Sequence, residues 1–387
     1  MMHLVYVTAF LPDTTGSASN LADRAVVDGL RRAGARVTWL GFKRAGATLS
    51  GVDNSASLGE IASVSEDEPF TSRLRSLAVS ATAGMPLESV RLRAAAKPDV
   101  EAVLARLQPF DGLVLAGTGL AGAFEPVFNR HPFLFVARQA DHIAAAEAAA
   151  RNASVAERLI LQRDAGALEA LQRRLSEKAR AVLTFSEEDR AALGLDADGK
   201  ARILPFVMPE PPEETGLRFP AFDVGMAGTW SDPVSRVRLE WFLQRVVPKL
   251  HKHTMIAIGG TAPGIFQARE KRVFFLGKVD DRTEFLRQCR VVALPERSET
   301  GIPVAAVEAL ELGLPAVATA QALRGIDPLP ANVTRVDGAN GFAKAVEAQA
   351  LGQRTATVED CDGAAFRNER LARIDAELAE ALAMLTA

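Results

Sequence analysis

Short apolar, β-branched runs alternate along this chain with longer stretches whose apolar residues return every three or four positions. The short runs lie at residues 4–7, 36–41, 112–116, 133–137 and 181–186. The longer ones lie at residues 20–33, 98–108 and 153–178. Runs too short for a helix and bounded by turn residues predict buried strands, and the longer period predicts helices. Strand–helix alternation implies parallel sheets with helices on both faces. The pattern breaks at residues 203–222, where Pro205, Pro209, Pro211, Pro212 and Pro220 fall close together. Proline lacks the backbone donor that a helix interior or a central strand needs, so this stretch predicts a linker.

Beyond it the alternation restarts. Strands are expected at 223–226, 254–258, 273–276, 291–294 and 315–319, and helices at 236–250, 281–288 and 304–312. The first of these helices places Leu239, Phe242, Leu243 and Val246 on one face. A last helix, rich in Ala, Glu and Leu, is expected at 363–384. The predicted class is α/β, with two Rossmann-like domains at 1–205 and 223–365, a linker at 206–222 and a terminal helix at 366–387. A chain of 387 residues is too long for one ordinary core and suits two. Two such domains are expected to face each other across a cleft, with ligands at the carboxyl ends of the strands.

Composition narrows the function classes. Hydrophobic residues at 48% and charged residues at 24% suit a soluble globular protein. A net charge of −3 carries no nucleic-acid footprint. Cys289 and Cys361 make no disulfide framework and are expected as free thiols in a reducing compartment. No leader pattern or membrane span is legible, which predicts a cytoplasmic protein.

Four places carry candidate chemistry. Gly16 and Ser17 follow the first strand, where a glycine turn and a helix start can face an anion; an ordinary turn with a serine cap accounts for them equally well. Gly117, Gly119 and Gly122 spell a dinucleotide fingerprint, but on a late strand and with no acid closing the next one, so close backbone packing is the better account. Arg138 and His142 sit past the strand at 133–137, placed to hold an anion and to move a proton, although a loop histidine is more often an ordinary polar residue. The strongest segment runs from Pro295 to Pro315. Gly301 precedes a helix starting near Pro303, so the N–H groups of Thr300, Gly301 and Ile302 are expected to point at an anion. Glu308 lies on an otherwise apolar helix face, where a buried carboxylate needs hydrogen-bond donors and a ribose diol offers two. A capped helix with a core-edge glutamate is the plainer account.

This segment resembles the donor site of GT-B glycosyltransferases, especially the retaining family 4. Glu308-Ala309-Leu310, Gly313-Leu314-Pro315 and Val317-Ala318-Thr319 follow the family's pattern, and Thr300-Gly301-Ile302 resembles the variant of one branch. Phe185–Asp189 resembles the turn closing the family's first domain, Ala227–Trp230 its first donor-domain unit, and Phe275–Val279 the loop that meets the nucleotide base. The resemblance implies a GT-B fold whose terminal helix crosses back to the first domain. It implies transfer of a sugar, with retention, from a UDP- or GDP-sugar to a glycan or lipid-linked acceptor in polysaccharide or glycoconjugate biosynthesis, with no metal and no bound cofactor. The donor would be held by Gly16, Ser17, Gly228, Thr229, Arg236, Gly277, Lys278, Val279, Arg297, Thr300, Gly301, Ile302 and Glu308, with Glu299, Arg138 and His142 catalytic. The sequence departs from the pattern in three places. Thr300 stands where the family's first glutamate is expected, with Glu299 adjacent. Ala305 stands where that branch has a lysine, leaving Arg236, Arg238 or Arg297 to replace its charge. Arg138 stands near the family's first-domain histidine, with His142 one turn on. A non-catalytic scaffold subunit and a nucleotide-sugar 2-epimerase are the alternatives. Residues 70–97 carry Arg73, Arg75, Arg91, Arg93 and Lys97 among apolar residues, which suits a lipid-linked acceptor or peripheral contact with the inner face of a membrane, and equally a solvated basic face.

Overall fold

Two parallel sheets organise the chain. The structure, a computed structural model, describes residues 1–14, 17–61, 78–80, 82–152, 154–195, 199–210, 218–230, 233–261, 266, 270–355 and 362–386. One unit comprises Met1–Pro209, Thr300–Ile302 and Leu371–Ala387; the other comprises Glu210–Glu299 and Pro303–Arg370.

In the first unit the strands are β1 (His3–Phe10), β2 (Arg36–Arg44), β3 (Ser55–Ile61), β4 (Gly112–Ala116), β5 (Phe133–Val136), β6 (Ala181–Thr184) and β7 (Ala201–Ile203). They pair in the order β3-β2-β1-β4-β5-β6-β7, all parallel. Helices cover both faces, so β4, β5 and β6 are buried at every residue and read as unbroken apolar runs. The order reverses between β1 and β4. Neighbouring connections leave the sheet in opposite directions there, which opens a crevice at the carboxyl edge.

The last helix, Gly363–Thr386, contributes its residues from Leu371 onward to this unit. Gly29 permits its approach: a Cβ there would lie 2.4 Å from Leu378 Cδ1. Arg32 grips Asp375 with two nitrogens at 2.8 and 3.0 Å, and Ile374, Leu378 and Leu385 are buried.

The second unit contains β8 (Phe222–Ala227), β9 (Ile256–Gly259), β10 (Val273–Gly277), β11 (Cys289–Leu294), β12 (Ala316–Ala318) and β13 (Val333–Arg335). The order is β10-β9-β8-β11-β12-β13, again all parallel, with the reversal between β8 and β11. Its core gathers Val224, Met226, Ile258, Val291 and Val317 with Trp230, Phe242 and Phe342.

The expected helix at 236–250 is a composite. An α-helix spans Pro233–Trp241, a π-helical turn Phe242–Val246 and a tight turn Val247–Lys249. Pro248 explains the change, because it has no N–H and its ring crowds the carbonyl four residues earlier. Leu239, Phe242 and Val246 still reach the core. Strands β3, β7 and β13 and the helices Leu87–Ala95, Asp141–Arg151 and Ala339–Thr355 are additional to the expected elements. No helix among the described residues is long and apolar enough to cross a membrane.

Cys289 opens β11 with its thiol against the Phe285 carbonyl, and burial pushes it up to about 12. In a Cys361→Ser variant, a disulfide reagent should leave the native protein unmodified at pH 8 and react only as it unfolds. Rapid reaction of the native variant would contradict this burial.

Candidate functional site

The carboxyl edge of the second sheet is lined by backbone. Gly228, Gly259, Gly260 and Gly277 end or follow adjacent strands, and the Gly228 N–H donates to Gly259 O at 3.1 Å. The Gly260 N–H donates to Gly277 O at 2.7 Å, and Gly260 has φ +110°. A Cβ on Gly260 would fall 1.8 Å from the Gly228 carbonyl, so this approach needs glycine. Trp230 closes the layer from below, its indole N–H donating to Gly259 O at 2.9 Å. Thr229 and Lys278 are exposed beside this edge, and Val279 packs near Gly259.

At the reversal between β8 and β11 the two loops are tied together. Arg238 Nη1 donates to Glu296 Oε2 at 3.1 Å, and its guanidinium stacks 5.2 Å from the Trp230 ring. Its other end donates to Ser235 at 3.0 Å, so Arg238 ties Ser235 to Glu296. Arg297 lies over Trp241 at 5.2 Å, and neither it nor Arg236 has a carboxylate partner among the described residues. Glu299 is exposed and accepts from Gln321 Nε2 at 3.0 Å.

The helix that follows, Val304–Glu311, begins without a side-chain cap because Pro303 is its N-cap. Ala306 and Val307 donate back to Pro303 O, while the N–H groups of Val304 and Ala305 have no partner among the described residues. These two N–H groups lie just beyond the expected donors at Thr300, Gly301 and Ile302. Gly301 has φ +99°, and a Cβ there would meet Gln139 Oε1 at 3.2 Å. Thr300 is buried in the first unit: its hydroxyl donates to Asp189 and accepts the Ala140 N–H at 2.8 Å. That use of the Thr300 side chain was not expected from the anion-cradle pattern.

Glu308, one turn into this helix, is 8% exposed. The protein itself supplies one donor to this carboxylate: Arg282 Nε donates to its Oε2 at 2.5 Å. Burial pushes the Glu308 carboxyl up and Arg282 opposes it. Its Oε1 accepts nothing among the described residues. Sequence inspection missed Arg282. Its signal was its place just after Asp281, the N-cap of a short helix beyond the Phe275–Val279 loop.

In the first unit the reversal lies between the loops after β1 and β4. The glycine turn at Gly117 follows β4, which pairs directly with β1, so the turn lies at the crevice. Gly117 has φ +73°, and a Cβ there would lie 2.3 Å from Arg138 Nη2. Gly122 packs against Leu171 and Ser89, a structural use. Arg138 donates to Asp23 Oδ2 at 3.1 Å and to Ala116 O at 3.2 Å. Asp23 also accepts from the Tyr6 hydroxyl at 3.0 Å and the Thr8 hydroxyl at 2.7 Å. Burial raises the Asp23 carboxyl above its ordinary value, and Arg138 then Thr8 and Tyr6 oppose it. Arg138 keeps 18% of its side chain exposed.

His142 Nδ1 lies 3.1 Å from Gln172 Oε1, and Asp141 accepts from Thr118 at 2.6 Å and from Gln139 at 2.9 Å. Ser17 is the N-cap of helix Ala18–Arg32, accepting from the Asn20 N–H at 3.3 Å. Gly16, Arg73 and Arg75 lie outside the described residues; Arg93 and Lys97 are exposed. Among the described residues no cluster of His, Cys, Asp or Glu could hold a metal ion.

The family model described as Glycosyl transferases group 1 matches residues 221–355. No curated protein matches the chain. Sucrose-phosphate synthase from Thermosynechococcus elongatus superposes with a TM-score of 0.64 at 15% identity, over 99% of this chain and 97% of that one. TarM superposes at 0.61 with 10% identity, over 100% and 99%. HepE of Anabaena, in complex with UDP and glucose, gives 0.59 at 14% identity, over 99% and 100%. The fold of the chain is thus GT-B, and residues 221–355 are similar to the group 1 glycosyltransferase family.

Proposed function

We propose that the protein is a glycosyltransferase that moves a sugar, with retention, from a nucleotide-diphosphate sugar to a glycan or lipid-linked acceptor. The observation that carries this is Glu308. It is a buried carboxylate with one free oxygen, one turn beyond an uncapped helix start, beside the switch point of the second sheet. Nucleotide diphosphates need a hydroxyl acceptor for ribose and donors for phosphate, and these features supply both. UDP, found with glucose in HepE, is the first nucleotide to test, and GDP the second.

In this proposal Glu308 Oε1 accepts a ribose hydroxyl, and the Val304 and Ala305 N–H groups face the diphosphate. Gly228, Thr229, Gly277, Lys278 and Val279 meet the rest of the nucleotide, and Glu299 lies at the sugar end. Arg236 or Arg297 takes the place of the lysine absent at Ala305, meeting charge as the diphosphate departs. Residues 223–365 would be the donor domain and 1–205 the acceptor domain. Arg93 and Lys97 would favour an anionic or lipid-linked acceptor, and the protein would work in the cytoplasm, at or near a membrane surface.

UDP or GDP at a hundredfold excess over its Kd should stabilise the protein by about 2.7 kcal/mol, visible as a rise in Tm. No shift with either nucleotide would overturn the proposal. Arg236→Ala or Arg297→Ala, whichever residue meets the leaving group, should lower kcat by about a hundredfold with little change in donor KM. If neither does, both arginines lose that role.

A further inference from the structure

The helix Val304–Glu311 buries two glutamates, and they are held differently. Glu311 is gripped by Arg367, and both side chains of that pair are shut away from solvent. Glu308 is also buried, but its partner Arg282 is partly exposed. Their contact is a single one, from Arg282 Nε to Glu308 Oε2. Glu308 Oε1 and the Arg282 Nη atoms have no partner among the described residues. A carboxylate buried only for the fold is expected to have both oxygens occupied. Glu308 is tied at one oxygen and bare at the other.

Arg282 reaches Glu308 from a fixed base within the same unit. It opens the short helix Arg282–Arg287, whose N-cap Asp281 accepts the Glu284 N–H at 2.9 Å. Phe285 and Leu286 are buried, and an added Cβ at Gly259 would lie 2.9 Å from the Phe285 ring, so this helix sits directly on the glycine-lined strand ends. The last torsion of a glutamate is broad, so an untied carboxylate samples many orientations. A bond at Oε2 removes that freedom and fixes where Oε1 lies. The guanidinium also acts on ionisation. Burial pushes the Glu308 carboxyl up, and Arg282 is the charge that opposes it, while Glu311 three residues on is engaged by Arg367.

We propose that Arg282 is a positioning residue for nucleotide binding: it ties Glu308 Oε2 so that Oε1 stands as a carboxylate oxygen ready to accept a ribose hydroxyl. This rests on the nucleotide-diphosphate reading above. A carboxylate can only accept, which matches the hydroxyl as donor. A protonated Glu308 brings its own hydrogen and loses that match. Arg282 need not touch the nucleotide. Its removal is felt through Glu308, and most at low pH, where a buried carboxyl without a counter-charge takes up a proton.

Calorimetric titration of the full chain with UDP, or with GDP where UDP does not bind, tests this from about pH 8.5 to about pH 6. In Arg282→Met the affinity should fall about tenfold at about pH 7.5, and the gap from wild type should widen as the pH falls. Taking the ratio to wild type removes the titration of the nucleotide's own phosphate, at about pH 6. Arg282→Lys keeps a charge for Oε2, so it should recover most of the affinity and follow the wild-type pH profile. In a Glu308→Gln background, which leaves no buried charge unpaired, Arg282→Met should change the affinity by less than about twofold. An equal loss in both backgrounds overturns the proposal and makes Arg282 a direct ligand of the nucleotide. Wild-type affinity in Arg282→Met, or a ratio that stays flat with pH, also overturns it and leaves the nucleotide site standing. Failure of the wild type to bind either nucleotide would instead remove the reading beneath it, and the proposal with it.

Discussion

Replacing Asp23 by alanine should destabilise the protein by about 3 kcal/mol, the low end for breaking a buried ion pair. Asp23 is fully buried and accepts from Tyr6, Thr8 and Arg138 together. Its loss leaves two hydroxyls and a guanidinium without their acceptor. The partly exposed edge of Arg138, 18% of the side chain, keeps the loss from being larger. Arg138→Met should be milder, because an abandoned aspartate can take up a proton whereas arginine stays charged. That asymmetry has a pH signature. Burial already holds the Asp23 carboxyl above its ordinary 3.8, and removing Arg138 takes away the main opposing charge. A raised folded value means stability that is full below the unfolded value and lost as pH rises through the folded one. Arg138→Met should therefore melt higher at pH 5 than at pH 8, relative to wild type. The double variant should lose less than the two single losses added, by about 1–3 kcal/mol. Additive losses in chemical denaturation would show that the two residues are not coupled.

The alternation of strands and helices was legible because both sheets are parallel and covered on both faces. Central strands such as β4 and β5 are then unbroken apolar runs that stand out in the chain. The elements missing from the sequence pattern are those where this signal fails. β3 is an edge strand with Ser55, Ser57 and Glu60 along it, and β7 and β13 have only three residues each. The composite helix at 233–249 kept its helical period, so only Pro248 hinted at the change of geometry. Strand order is not written in any local pattern. The pairing of β4 with β1, which sets the Gly117 turn at the crevice, appears only in the fold. For the same reason Asp23, Tyr6 and Thr8 could not be joined to Arg138 in advance. Their separations of up to 115 residues leave no mark in spacing. Glu308 was legible as a charged residue on an apolar helix face, whereas Arg282, its partner 26 residues away, was not.

Glu308→Gln should move stability and donor binding in opposite directions. The amide keeps the shape but offers a weaker acceptor, so affinity for UDP should fall about tenfold to a hundredfold, as for loss of a charge-assisted hydrogen bond. Stability at pH 7.5 should rise. Burial is the larger influence on Glu308 and pushes its carboxyl above the ordinary 4.5, against the pull of Arg282. The folded state thus favours the protonated form. Its contribution is complete below about 4.5 and is lost as pH climbs through the folded value. At neutral pH the wild type bears the cost of a buried charge that glutamine does not carry. Arg282, with 39% of its side chain exposed, can return to water when its partner is neutral, so its loss of pairing weighs little. The Tm advantage of the variant should shrink toward zero as the pH approaches 4.5. A lower Tm at pH 7.5 would mean that the Arg282 pair outweighs burial. Unchanged UDP affinity would mean that Glu308 Oε1 does not meet the nucleotide. A general packing defect would lower stability and affinity together, so opposite signs identify Glu308 as a residue kept for its ligand at the expense of the fold.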